Sequence, residues 1–146
     1  MVADRQDQDR LYSLLAERPW STLVTLKSDG RPQLSNVLHA FDPVGRTVRV
    51  SVTEDRAKTR NLRRDPRVSL HVSTPDGWGY AVFEGVAELS PVAADPQDAT
   101  VEALVRLYRD LQGEHSDWDE YRAAMVADRR VLLSFTVDHA YGAVRG

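Results

Sequence analysis

Ser51, Thr53, Arg56, Lys58 and Thr59 place hydroxyl and cationic side chains close together where a predicted strand gives way to a predicted helix. The backbone N–H groups at a helix start have no internal partners and the helix dipole is positive there. An anion therefore gains hydrogen bonds and favourable charge before any side chain contributes. Arg56 adds a planar fork that matches phosphate oxygens in pairs, and Lys58 adds a compact charge on a flexible stem. The two together suit a terminal phosphate. Of the 19 basic residues only Lys27 and Lys58 are lysines, so Lys58 stands out against an arginine background. The competing reading is a solvated helix face, with Glu54 and Lys58 forming an ordinary i,i+4 surface pair.

Two further groups carry recognition chemistry. Gln33 and Ser35 alternate on one predicted strand, so they share a face and offer amide and hydroxyl groups to a polar ring edge. Trp78 and Tyr80, set beside Gly77 and Gly79, offer a flat wall for an aromatic ligand or, equally, ordinary core or dimer packing.

Other chemistries lack their signatures. There is no cysteine, which excludes disulfides, thiolate catalysis and cysteine-ligated metals. Gly77-Trp78-Gly79 begins like a dinucleotide fingerprint, but Val82 stands where the third glycine is required and no βαβ pattern surrounds it. Neither a G-x-S-x-G elbow nor a Walker A sequence occurs. His39, His71, His115 and His139 have no metal-ligand spacing and read as surface or packed residues, so no metal is expected. Glu114, Asp117, Asp119 and Glu120 suit a helix start, where carboxylates complement the dipole. No catalytic residue is nominated.

The elements that must position these groups follow from periodicity and turns. Leu11, Leu14 and Leu15 predict a helix over 7–17, closed by Pro19 and packed on a sheet. A strand over 20–28 turns at Asp29-Gly30 into a second over 31–40, and Asp42-Pro43-Val44-Gly45 leads to a third over 47–53, giving a meander of at least three strands. In the third, Val48, Val50 and Val52 face the core and Ser51 and Thr53 the other side. The helix carrying Leu62 ends near Asp65 because Pro66 disfavours helical backbone before it. Strands over 67–73 and 79–89 follow, then a helix through Val101, Leu104, Val105, Tyr108 and Leu111 that stops at Gly113. A second short helix is capped by Ser116, and a last strand spans 130–138. Short antiparallel strands with helices at the periphery predict a mainly β, α+β fold, a small barrel rather than a parallel sheet.

A chain of 146 residues fits a single domain over 1–146 with one core. Its polar first ten residues and lack of a long apolar run predict a soluble, cytoplasmic protein without membrane contact. A net charge of −3 argues against general nucleic-acid binding, although six basic residues fall within 56–67.

Four segments carry a family resemblance: Gly30-Arg31-Pro32-Gln33-Leu34-Ser35-Asn36, Arg56-Ala57-Lys58-Thr59-Arg60-Asn61-Leu62, Asp76-Gly77-Trp78-Gly79-Tyr80 and Gly113-Glu114-His115-Ser116-Asp117-Trp118. In this order they resemble the split β-barrel flavin and deazaflavin reductases, the pyridoxamine-phosphate-oxidase-like superfamily. Within it the chain looks like the actinobacterial branch that uses coenzyme F420. The resemblance implies an FMN-binding-like antiparallel split barrel, paired as a homodimer with each cofactor in a groove at the interface. It also implies that Ser51, Arg56, Lys58 and Thr59 hold the cofactor phosphate and its neighbouring chain. Gln33, Ser35 and Asn36 would line the ring, and Trp78, Gly79 and Tyr80 would close it. Arg130 and residues 118–122 would add contacts from one subunit or the other. The implied activity is hydride transfer from the reduced deazaflavin to a small conjugated acceptor such as an enone, nitroaromatic or quinone-like molecule. An FMN-dependent flavoenzyme on the same barrel and a non-catalytic deazaflavin carrier are the alternatives, since FMN also ends in a phosphate.

Overall fold

The computed structural model describes residues 4–145; the first three residues of the polar N-terminal stretch lie outside them. Helix α1 (Arg5–Glu17) starts where the Asp4 carboxylate accepts the Asp7 N–H at 2.8 Å, and it buries Leu11, Leu14 and Leu15. Strands β1 (Trp20–Leu26) and β2 (Pro32–Leu38) form a hairpin whose turn places Gly30 at φ +86, in the left-handed region that glycine enters without steric cost. Then come β3 (Ala40–Asp42), β4 (Thr47–Thr53), α2 (Ala57–Arg64), β5 (Arg67–Ser73), β6 (Tyr80–Val86) and β7 (Glu88–Leu89). Helices α3 (Ala99–Gln112) and α4 (Trp118–Ala127) precede β8 (Arg130–Thr136) and β9 (His139–Ala143).

The strands make two antiparallel sheets, one ordered β2-β1-β5-β6-β9 and the other β3-β4-β8-β7. Their inner faces meet in one core containing Leu23, Val48, Val50, Val52, Leu70, Phe83, Val131 and Leu133. The alternation expected for β4 is realised, with its three valines inward and Arg49, Ser51 and Thr53 on the opposite face. A smaller apolar cluster, including Val101, Leu104, Val105 and Met125, joins α3 and α4 and packs against Leu132 of β8. The helical pair thus covers part of the outer face of the second sheet.

Several expectations need correction. The meander ends after two strands: β4 pairs with β3 and β8, not with β2. The chain breaks at buried His39, whose ring nitrogens bond Ser21 Oγ and the Leu15 carbonyl and pin the crossover between the sheets. The strand foreseen over 79–89 is two, because β6 belongs to the first sheet and β7 to the second. Gly85, one residue before β6 ends, passes close to the end of β8, where a Cβ would stand 2.5 Å from the Thr136 carbonyl oxygen. Asp117, not Ser116, caps α4, its carboxylate accepting the Glu120 N–H at 3.1 Å. Finally, the last predicted strand stops at Thr136 and a ninth strand, β9, completes the first sheet.

Candidate cofactor-binding site

The turn between β4 and α2 is fixed from several directions. The Arg56 N–H bonds the Thr53 carbonyl at 3.1 Å, and the Glu54 N–H bonds the Arg129 carbonyl at 3.1 Å, joining this turn to the one between α4 and β8. Thr59 is fully buried and donates its hydroxyl to the Thr53 carbonyl at 2.7 Å. Asn61, also buried, donates its amide to Thr25 Oγ1 at 3.1 Å and seats α2 on β1. Arg56 takes the N-cap position without a side-chain cap bond, so the helix start keeps its positive character.

Register across the second sheet completes the cluster. Thr53 faces Arg130 and Ser51 faces Leu132 on adjacent strands β4 and β8. Burial holds the Lys58 ammonium below the ordinary lysine pKa, and the neighbouring charges of Arg56 and Arg130 push it the same way. Three cations therefore share one environment. Among the described residues, neither Arg56 nor Lys58 has a carboxylate within ion-pair distance, whereas Glu54 is bound by Arg63 through both oxygens, at 3.0 and 2.6 Å. The surface pair Glu54–Lys58 is therefore not formed.

Two of the candidate residues carry a polar atom buried without a hydrogen-bond partner: Ser35 Oγ on β2 and Arg130 Nε on β8. Arg130 Nε lies 3.8 Å from Asp128 Oδ2, beyond hydrogen-bond length. A buried polar group left unsatisfied costs about 1–3 kcal/mol. An anion beside Arg130 and a polar ring edge beside Ser35 would remove these costs, so the residues present fit a cofactor that carries both.

The other candidates divide by position. Gln33 and Ser35 lie on the β2 face that points with Leu23 and Thr25, and β2 runs beside both α2 and β4. Asn36 lies on the opposite face of β2, exposed, with Thr22 Oγ1 3.5 Å away. Trp78, Gly79 and Tyr80 stand beyond Ser73, at the other end of β5 from α2. A seven-residue strand separates the two groups by about 20 Å. Trp78 is 87% exposed, Gly79 is wedged against Thr74, and Tyr80 stacks on His71 with centroids 5.8 Å apart. One chain therefore does not bring this aromatic wall to the cations.

Residues 118–122 are committed within the helical layer. Trp118 Nε1 donates to Glu114 at 2.9 Å, the Tyr121 hydroxyl to the Leu104 carbonyl at 3.1 Å, and Arg122 to Glu102 at 2.6 Å. Burial raises the Tyr121 pKa, while the charge of Arg130 opposes that rise, so the phenol borders the cationic cluster. Sequence reasoning missed Arg129, which adopts φ +54 and pairs with Asp55 at 3.1 Å. Its only sequence signal is the Arg129-Arg130 doublet.

This barrel of two antiparallel sheets, with a cationic helix start at its edge, defines a class. The chain belongs to the pyridoxamine 5'-phosphate oxidase family, whose model matches residues 8–142. Among solved structures it is similar to an F420 reductase, at 28% identity and a TM-score of 0.68, over 96% of this chain and 98% of that one. A conserved hypothetical protein from Mycobacterium tuberculosis aligns at 22% identity and TM-score 0.70, over 100% of this chain and 94% of that one. General stress protein 26 from Bacillus anthracis aligns at 15% identity and TM-score 0.59, over 92% of each chain. These last two share the fold. No helix among the described residues is long and apolar enough to cross a membrane.

Proposed function

We propose that the protein is a cytoplasmic coenzyme F420-dependent reductase that works as a homodimer and delivers a hydride to a small conjugated acceptor. The observation that carries this reading is the cationic trio Arg56, Lys58 and Arg130, in which neither Arg56 nor Lys58 has a carboxylate within ion-pair distance among the described residues and Arg130 Nε is buried without a hydrogen-bond partner. The full-length similarity to an F420 reductase favours the deazaflavin over other phosphate-bearing cofactors.

In this reading Arg56 and Lys58 bind the cofactor phosphate, with the α2 N–H groups and Ser51 completing its cradle, while Thr59, fully buried with its hydroxyl given to the Thr53 carbonyl, fixes the turn behind it rather than touching the phosphate. Gln33 and Ser35 orient the polar edge of the ring. Asn36, on the outer face of β2, contributes at the rim rather than within the pocket. A second copy of the chain supplies Trp78, Gly79 and Tyr80, because within one chain they lie a strand length from the cations. The exposure of Trp20, Leu34, Tyr80 and Tyr141 on the outer face of the first sheet supports such pairing. When bound, the reduced deazaflavin supplies the hydride, so the chain needs to hold, orient and desolvate rather than provide a nucleophile.

Turnover tests this directly. Purified protein with reduced coenzyme F420 and a panel of enones, nitroaromatics and quinones should oxidise the deazaflavin with at least one class. Tight cofactor binding with no oxidation across the panel would favour a carrier instead. The family's pyridoxamine 5'-phosphate oxidase description supports a second reading, an FMN enzyme using the same phosphate cradle.

A further inference from the structure

Two of the three cations, Arg56 and Lys58, follow directly on two acidic residues, Glu54 and Asp55, in the same turn. Carboxylates this close to Arg56 and Lys58 would ordinarily pair with them and compete with any incoming anion. Neither does. Glu54 is four residues before Lys58, yet both of its oxygens are held by the Arg63 guanidinium in a two-bond fork, Nε at 3.0 Å and the terminal nitrogen at 2.6 Å. Asp55 is taken by Arg129 at 3.1 Å across the junction with β8. Arg63 lies one helical turn beyond Thr59, and its donors match a carboxylate as an ammonium's do not, so the fork outcompetes a single contact from Lys58.

We propose that Arg63 is a positioning residue that withholds Glu54 from Lys58 and so keeps the anion site at the start of α2 open. This rests on the phosphate cradle proposed above and assigns it a specificity device: the site is cationic toward a ligand only while its own acid is engaged elsewhere. The Arg129–Asp55 contact acts in the same sense, but it is more exposed on both partners than the Arg63–Glu54 fork and so contributes less. The depressed pKa of Lys58 fits this arrangement: burial lowers it first, the charges of Arg56 and Arg130 lower it further, and no carboxylate opposes them.

The test separates this device from general damage to the helix. Arg63→Gln releases Glu54, and affinity for coenzyme F420, FMN or inorganic phosphate should fall about two- to fivefold at low salt, with a smaller loss at high salt. Glu54→Gln alone should not weaken binding, and Arg63→Gln with Glu54→Gln should restore it. A merely structural role for Arg63 predicts no such rescue. A second readout needs no ligand: with only two lysines in the chain, 13C NMR titration of their side chains resolves Lys58. Its pKa should rise in Arg63→Gln and return in the double variant. An unmoved Lys58 titration, or binding in Arg63→Gln equal to wild type, would overturn the proposal while leaving the phosphate cradle intact. Failure of wild type to bind any of the three probes would instead remove the cradle and this inference with it.

Discussion

Thr53 and Arg130 face each other across the β4–β8 ladder, and the Thr53 carbonyl at that position also receives the buried hydroxyl of Thr59. A single residue thus fixes the start of α2 against the start of β8, which is what brings Arg56, Lys58 and Arg130 together. Thr59→Val keeps the side-chain shape and removes that hydroxyl. It should cost about 1 kcal/mol of stability in urea denaturation, and somewhat more if the Thr53 carbonyl stays dry. Unchanged stability would mean that the bond does not hold the junction.

Ser35 predicts the opposite pattern. Its buried hydroxyl has no partner, so Ser35→Ala should leave stability within about 0.5 kcal/mol of wild type or raise it. Cofactor affinity should nonetheless fall under the proposal that this hydroxyl meets the polar edge of the ring. Parallel thermal denaturation and calorimetry separate the two effects, and a loss of stability without loss of affinity would contradict the assignment.

His39 gives a pH dependence. Burial lowers its pKa, with the bond to the Leu15 carbonyl opposing this, so the folded protein binds this proton less readily than the unfolded chain. Its contribution to stability is therefore full above the unfolded value of about 6.5 and is lost as pH falls through the lower folded value. His39→Asn should cost about 1–3 kcal/mol at neutral pH, since Ser21 and Leu15 lose their partner, and should flatten the decline below pH about 6.5. Denaturation curves at several pH values check both parts. An equal acid-side decline in the variant would assign the effect to other groups.

Much of the fold was legible because its signals are local. The valine alternation of β4, bounded by a turn before and a polar helix start after, gives Thr47–Thr53 with its inward face. Pro66 bounds α2 and opens β5, and Gly113, at φ +78, ends α3. What was missed depends on long-range pairing. Nothing between Thr136 and His139 marks a turn strongly, so the predicted strand runs on to Asp138 and β9 goes unpredicted, and only the second sheet reveals that the chain changes partners after Val86. The candidate site divides in the same way. The anion cluster is one short stretch plus Arg130, and its residue types announce their chemistry. By contrast, the i,i+4 spacing of Glu54 and Lys58 suggested a pair that Arg63 displaces, and the motif around Trp78 carried no information about its distance from the cations.

The most decisive measurement is calorimetric titration of the purified protein with coenzyme F420 and, separately, with FMN, repeated on Arg56→Ala with Lys58→Ala. F420 should bind more tightly than FMN. The double variant should retain its circular dichroism spectrum and lose at least about 2 kcal/mol of binding energy, because two charge-assisted contacts to the phosphate disappear. Tighter binding of FMN would contradict the deazaflavin assignment, and undiminished affinity in the folded double variant would contradict the anion site itself.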